Sequence, residues 1–334
     1  LTSQTLHLLR HRLIYPAMAL LMVALVMACQ GQPPGETGQK TADCPMGSQA
    51  VDQSCVPTEI KRLITLDGAA FEYAIALGLE PIATVPSNFQ TQLPGLMNNA
   101  QNIQNIGKGE QPNLEAILGA SPDLIVGLDS HQSIYPQLRQ IAPTVLIPFE
   151  HSGEWKKVFV SMGTALHQQA ATQSALEVYQ ARSADFRAQM GDRLNNLQVS
   201  VIRLYPDGIN LYLKDSFSGT VLQDAGLTRP PSQNISAAEA QQKFGNPIQA
   251  RISREVLEQA DGDVIFLWTG ENTSQANQEA QKRLQELQQD PLWGQLKAVR
   301  AGKVYEVPSY WIGSGPIAAN AILDDLFKYL VGEN

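Results

Sequence analysis

Residues 170–194, AATQSALEVYQARSADFRAQMGDRL, decide the architecture. The run holds no proline, and its first glycine is Gly191. A helix over Ala170–Leu194 is about 37 Å long at 1.5 Å per residue. With a shorter helix predicted over Trp155–Leu166, it fills the stretch 154–196, where the strand signal vanishes. Strands and helices alternate on both sides of it. The long helix therefore reads as a rod between two lobes, not as a packing unit.

Upstream, Arg62–Leu66, Pro81–Val85, Asp123–Gly127 and Thr144–Ile147 are short apolar runs that predict strands. Helices over Ala69–Leu77, Leu114–Leu118 and Ile134–Ile141 separate them. Downstream, strands are predicted over Val199–Leu204, Asn210–Leu213, Val264–Trp268 and Val304–Val307. Helices are predicted there over Thr220–Asp224, Ser253–Gln259, Ser274–Gln289 and Ile317–Leu330. The expectation is an α/β fold of two Rossmann-like lobes, residues 60–168 and 197–334, with mostly parallel sheets. One long α-helix in 169–196 joins them. In open α/β sheets, ligands sit beyond the carboxyl ends of the strands, so residues just after strands are the candidates.

The 334 residues are 43% hydrophobic and 17% charged, an ordinary globular composition with ample length for sizeable cores. Formal charge is 24 − 32 = −8, with no Lys/Arg run. Such a body is a poor match for a phosphate backbone, which argues against nucleic-acid binding. Three cysteines are too few for a disulfide-rich miniprotein or a four-cysteine zinc site. G-x-S-x-G, H-E-x-x-H, Walker A and strand–G-x-G-x-x-G–helix motifs are all missing. Nothing points to an enzyme.

The first 28 residues read as a secretory signal: Arg10 and Arg12, then a nearly unbroken apolar run over Leu13–Ala28. Leu25-Val26-Met27-Ala28-Cys29 resembles a bacterial lipobox, which implies a lipidated Cys29; a plain signal peptide is the alternative. Residues 29–59 then form a tether rich in Gly, Pro and polar side chains, too polar to bury a core. Cys44 and Cys55, eleven positions apart, are either a disulfide or two free thiols; an oxidising compartment favours the disulfide. The expected location is extracytoplasmic, held to the membrane through the lipid only.

Two groups of residues carry a family resemblance. The first is Ile106-Gly107-Lys108-Gly109-Glu110-Gln111-Pro112-Asn113-Leu114-Glu115, followed by Ser121-Pro122-Asp123-Leu124-Ile125-Val126-Gly127. The second is Asp290-Pro291-Leu292-Trp293, Ala301-Gly302-Lys303-Val304-Tyr305, Trp311-Ile312-Gly313-Ser314-Gly315-Pro316 and Ile322-Leu323-Asp324-Asp325-Leu326. In this order and spacing they resemble the iron-siderophore substrate-binding lipoproteins of ABC importers, a match over roughly 60–330. The resemblance implies a monomer that captures a ferric siderophore and passes it to permease subunits. It implies little bending between lobes, a ligand cleft between the lobes, no catalytic residue and no cofactor, since iron arrives wrapped by its ligand.

A ferric chelate needs cations for its oxygens and flat aromatics for its organic shell. Arg203, in an otherwise apolar strand, either pairs with an acid of the body or faces the cleft; Tyr205 shares its face by alternation. Trp268 ends a strand and reads as cleft wall, with core packing as the alternative. Tyr310 and Trp311 follow the last strand, and relatives that bind ferric hydroxamates contact ligand with an aromatic at the position of Trp311. Phe217 is expected at the cleft rim. On the N-lobe, the resemblance points to Lys108 and His131, although hydroxamate binders carry an Arg and a Tyr in those loops. Asp67 either lines the cleft or caps a helix. By resemblance Glu115 and Glu255, one per lobe, dock onto arginine pockets of the permease; an acid near a helix N-terminus is favoured in any case. Cobalamin or heme on the same fold is the alternative, with His131 or Tyr310 then reaching the heme iron.

Overall fold

The computed structural model describes residues 56–85, 103–108, 111–270 and 274–332. The signal segment, Cys29, Cys44 and Cys55 lie outside the described residues. In chain order the N-lobe comprises β1 (Leu63–Thr65), α1 (Gly68–Ala76), β2 (Ala83–Thr84), β3 (Gln104–Asn105), β4 (Gly107–Lys108) and β5 (Gln111–Pro112). It continues with α2 (Leu114–Gly119), β6 (Leu124–Leu128), α3 (Tyr135–Ile141), β7 (Thr144–Ile147) and α4 (Trp155–Ala165). Helix α5 (Gln169–Met190) leads to the C-lobe: β8 (Val199–Tyr205), β9 (Gly208–Tyr212), α6 (Phe217–Asp224), α7 (Ala237–Phe244) and β10 (Gln249–Ile252). Then follow β11 (Val264–Thr269), α8 (Ser274–Gln288), α9 (Lys297–Arg300), β12 (Val304–Glu306) and α10 (Pro316–Leu326).

The N-lobe sheet has the order β3-β2-β1-β6-β7, all parallel. The C-lobe sheet, β10-β9-β8-β11-β12, is mixed: β8, β11 and β12 are parallel, while β9 is antiparallel to both β8 and β10. Strand β10 and helix α7 were not legible as elements. Arg251, at the centre of β10, breaks its apolar pattern, while α7 is a short polar helix set by its Ser236 N-cap and the left-handed Gly245.

The two lobes repeat one local device. Asp123 stands just before β6, and its Oδ2 accepts the Lys61 and Arg62 amides at 2.8 and 3.0 Å. Asp263 stands just before β11, and its Oδ2 accepts the Gln198 amide at 2.7 Å. Each carboxylate thus ties the entry of one central strand to the entry of its neighbour. The lobes share this detail as well as their architecture.

Helix α5 is shorter than expected and does more than bridge. It ends at Met190 because Gly191 takes φ +51°, a left-handed value that terminates helices at low cost. It buries Thr172, Tyr179, Ser183, Phe186 and Met190, a single stripe at helical spacing. The rod reading is therefore corrected: α5 is also a packing unit. Its apolar stripe joins Phe71 of α1 and Trp155 of α4 to Phe217, Val221, Phe266 and Trp311 of the C-lobe in one continuous core. Trp155 is fully buried, stands edge-on to Tyr179 at 5.1 Å and Phe217 at 5.9 Å, and donates Nε1–H to Thr220 Oγ1 at 3.2 Å. The adjacent Lys156 pairs with Asp224, which also accepts the Tyr179 hydroxyl at 2.7 Å.

Trp155→Ala is expected to cost roughly 3–5 kcal/mol, the range for truncating a buried Trp. Because that core spans both lobes, calorimetry should still show one unfolding transition at a lower temperature. Two separated transitions would show that the lobes do not share a core.

Candidate functional site

The carboxyl ends of β8 and β11 place Arg203 and Gly270 together. The register sets Arg203 opposite Trp268 across this pair. Arg203 is 8% exposed; its Nη2 donates to the Gly270 carbonyl at 2.5 Å and its Nη1 to the Tyr212 hydroxyl at 3.3 Å. Its guanidinium carbon lies 4.2 Å from the centre of the Tyr205 ring, a cation–π stack. The Tyr205 and Tyr212 hydroxyls are 3.3 Å apart, and Tyr205 also donates to Gln249 at 3.3 Å. These described contacts hold a cation by a ring, a hydroxyl and a carbonyl. These groups orient the guanidinium at the carboxyl end of the strand.

Tyr212, Gln249 and Gly270 complete this cluster and were missed by sequence reasoning. Tyr212 came within a predicted strand but carries no local sign of its role. A buried cation supports it from behind: Arg229 donates Nη2 to the Tyr212 carbonyl and to Gln233 Oε1, both at 2.5 Å. Burial pulls the Arg229 guanidinium down to about 9, so it remains charged at neutral pH.

Three expected cleft aromatics lie elsewhere. Trp311, Trp268 and Phe217 are fully buried. Trp311 stacks on Phe266 with ring centres 4.6 Å apart, and its Nε1 donates to Asp325 Oδ2 at 2.8 Å. Trp268 stands edge-on to Tyr212 at 4.8 Å. β11 has a core on both faces, with Val264, Phe266 and Trp268 on one and Ile265 and Leu267 on the other, so its last residues still point into packed protein. Phe217 opens α6 against Trp155, deeper than a rim. None of the three shows a face to solvent, and all belong to the core.

Tyr310 is nearly buried and donates its hydroxyl to the same Asp325 oxygen at 2.8 Å. Burial pushes the Asp325 carboxyl up from its ordinary range, and the two donors pull it back. Together Asp325, Tyr310 and Trp311 pin the segment 309–312 onto α10. On the N-lobe, Asp67 is engaged on both oxygens: Oδ1 caps α1 through the Ala70 amide at 2.8 Å, and Oδ2 accepts the Leu128 amide at 2.9 Å. His131 is buried with Nε2 3.4 Å from that Oδ2. Asp67 thus fastens the end of β6 to α1. Lys108 is exposed on the β4–β5 hairpin.

Glu115 and Glu255 are exposed and matched in position. Glu115 precedes β6 by 124 − 115 = 9 residues, and Glu255 precedes β11 by 264 − 255 = 9. Each lies in the first turn of the helix that feeds its strand.

A family model described as periplasmic binding protein matches residues 63–311. The chain belongs to the periplasmic binding protein family. This periplasmic binding protein is 31% identical over 280 residues to the probable siderophore-binding lipoprotein YfiY of Bacillus subtilis, spanning 83% of this chain and 84% of that one. It is 30% identical over 290 residues to the achromobactin-binding periplasmic protein of Dickeya dadantii, spanning 85% and 90%. The crystal structure of Staphylococcus aureus SirA complexed with staphyloferrin B matches with a TM-score of 0.70 at 25% identity, over 82% of this chain and 94% of that one. The siderophore-binding resemblance read from the sequence is thereby upheld.

Trp311→Phe keeps the ring packing and removes one donor from Asp325. The expected loss is about 1–3 kcal/mol, the cost of leaving a buried polar group short of a partner. Denaturant unfolding checks it; unchanged stability would remove the anchoring role of that bond.

Proposed function

We propose that this periplasmic binding protein captures a ferric siderophore outside the cytoplasm and delivers it to an ABC transporter for iron uptake. The observation that carries the reading is the Arg203 cluster at the carboxyl end of the C-lobe sheet, in a chain whose relatives bear siderophore-binding names. Arg203 faces the anionic oxygens of the chelate, and Tyr205 lies along its organic shell. Lys108 supplies a second cation from the N-lobe. His131 and Asp67 shape that lobe's side of the cleft, and Tyr310 helps hold the segment that closes it.

The protein acts as a monomer with no catalytic step and no resident cofactor. Iron enters as cargo, coordinated by the siderophore. Lipidation at Cys29 holds the body to the membrane, and the tether carrying a Cys44–Cys55 disulfide lets it reach the permease. Glu115 and Glu255 then dock, one per lobe, onto cationic pockets of the permease subunits. Exposed pairs of this kind set orientation and encounter rate more than affinity.

Calorimetric titration with ferric hydroxamate, ferric catecholate, ferric citrate, cobalamin and heme tests the reading. Saturable binding of one ferric chelate supports it. Binding of cobalamin or heme alone would keep the fold and remove the siderophore. For the chelate that binds, Arg203→Ala should weaken affinity by roughly 10- to 100-fold, the worth of a charged hydrogen bond. Unchanged affinity would move the ligand away from β8. The double variant Glu115→Ala, Glu255→Ala should bind the chelate normally yet fail to support iron uptake in cells. Normal uptake would sink the docking role.

A further inference from the structure

Glu72 is fully buried on α1 of the N-lobe, yet its partners belong to the C-lobe. Its Oε1 accepts the Ala318 amide of α10 at 2.7 Å, across 246 positions of sequence. The amides of Ser314 and Ile317 face the same carboxyl. The carboxyl therefore meets the N-terminus of an 11-residue helix, whose free amides and dipole favour an acceptor there. The fit is close: a Cβ on Gly315 would stand 2.6 Å from Glu72 Cδ. A side chain at 315 would push the carboxyl from its place. On its far side α10 carries Asp325, which holds Tyr310 and Trp311, and Asn320 and Asp324, which bond Arg182 of α5.

We propose that Glu72 is a positioning residue that latches α10 to the N-lobe, and that proton binding at its carboxyl tightens this latch. The proposal stands whatever ligand the cleft holds. Burial is the physical cause: it raises the Glu72 carboxyl to about 7, against the opposing pull of the three backbone amides. When α10 separates from α1, water reaches the carboxyl and its affinity for a proton falls toward the ordinary 4.5. The contact thus binds more protons than the separated state between these values. Linkage then requires the contact to weaken as pH rises through that window and to level off above it.

The groups around Glu72 leave the titration to it. On α1 the neighbour is Tyr73, buried and pushed well above its usual value by burial and by the nearby Glu72 and Asp67. On α10, Asp324 pairs with Arg182 of α5, and Asp325 is taken up by Tyr310 and Trp311. The other charged residues of α5, Glu177, Asp185 and Arg187, are exposed. Strands β1 and β6, packed under α1, contain no charged residue.

The test uses the full chain with nitroxide labels on keto side chains introduced at the exposed positions 118 and 244, one per lobe. Pulsed electron resonance reads the inter-lobe distance at pH 5 and pH 8, without ligand. In the otherwise unaltered chain the ratio of separated to latched molecules should rise on the order of 10- to 100-fold over this range. Glu72→Gln, which keeps an acceptor and cannot ionise, should give the pH 5 distribution at both values. Glu72→Ala should populate the separated state at both. One distance distribution at both pH values in the unaltered chain would overturn the proposal, and so would a Glu72→Gln variant that keeps the pH dependence. Should either variant fail to fold, hydrogen exchange at the Ile317 and Ala318 amides of the unaltered chain decides. After correction for intrinsic rates, protection should fall between pH 5 and pH 8, and constant protection refutes the latch.

Discussion

The shape of this molecule depends on an apolar core that belongs to neither lobe alone. Phe71 and Trp155 from one side and Phe217, Phe266 and Trp311 from the other pack around one stripe of α5. Without that stripe, two α/β sheets would each need to cover an open flank. With it, the bridging helix serves both lobes as a common wall. The buried links at its edge, Trp155 to Thr220 and Glu72 to Ala318, are directional bonds laid over a non-directional contact. The core brings the lobes together, and the bonds fix their register.

The same logic explains how the site is built. Arg203 would be costly in a packed strand if its donors were left without partners. A ring face, a hydroxyl and a carbonyl are among the groups that hold it, with Arg229 stiffening Tyr212 from behind. The charge is oriented in advance, and the rotamer entropy of a long side chain is largely lost before any ligand arrives.

Much of this could be read in advance, for physical reasons. Parallel strands buried on both faces leave short apolar runs between turn residues, and β1, β6, β7, β8 and β11 were visible that way. Arg203 stood out because it interrupts such a run. The capping alternative for Asp67 was visible because capping is local. The aromatics were misjudged for the converse reason. A ring after a strand looks the same whether the fold covers it or leaves it open, and here Phe266 and Asp325 hold Trp311, Tyr212 and Trp311 pack on Trp268, and Trp155 packs on Phe217. Glu72 gave no signal, since its meaning rests on a helix that begins 244 positions later, at Pro316. The antiparallel turn of β9 was equally silent, because alternation is blind to strand direction.

Asp123 and Asp263 perform one task at equivalent points, and Glu115 and Glu255 stand nine residues ahead of equivalent strands. The two lobes thus repeat local arrangements that their sequences do not share. The repeat sets one carboxylate in each lobe among unlike neighbours: a hairpin beside Glu115, and Arg254 beside Glu255. If these carboxylates dock on the permease as proposed, they are two handles of the same sign but of different grip, so reversing the body on its partner would change the energy of the contact.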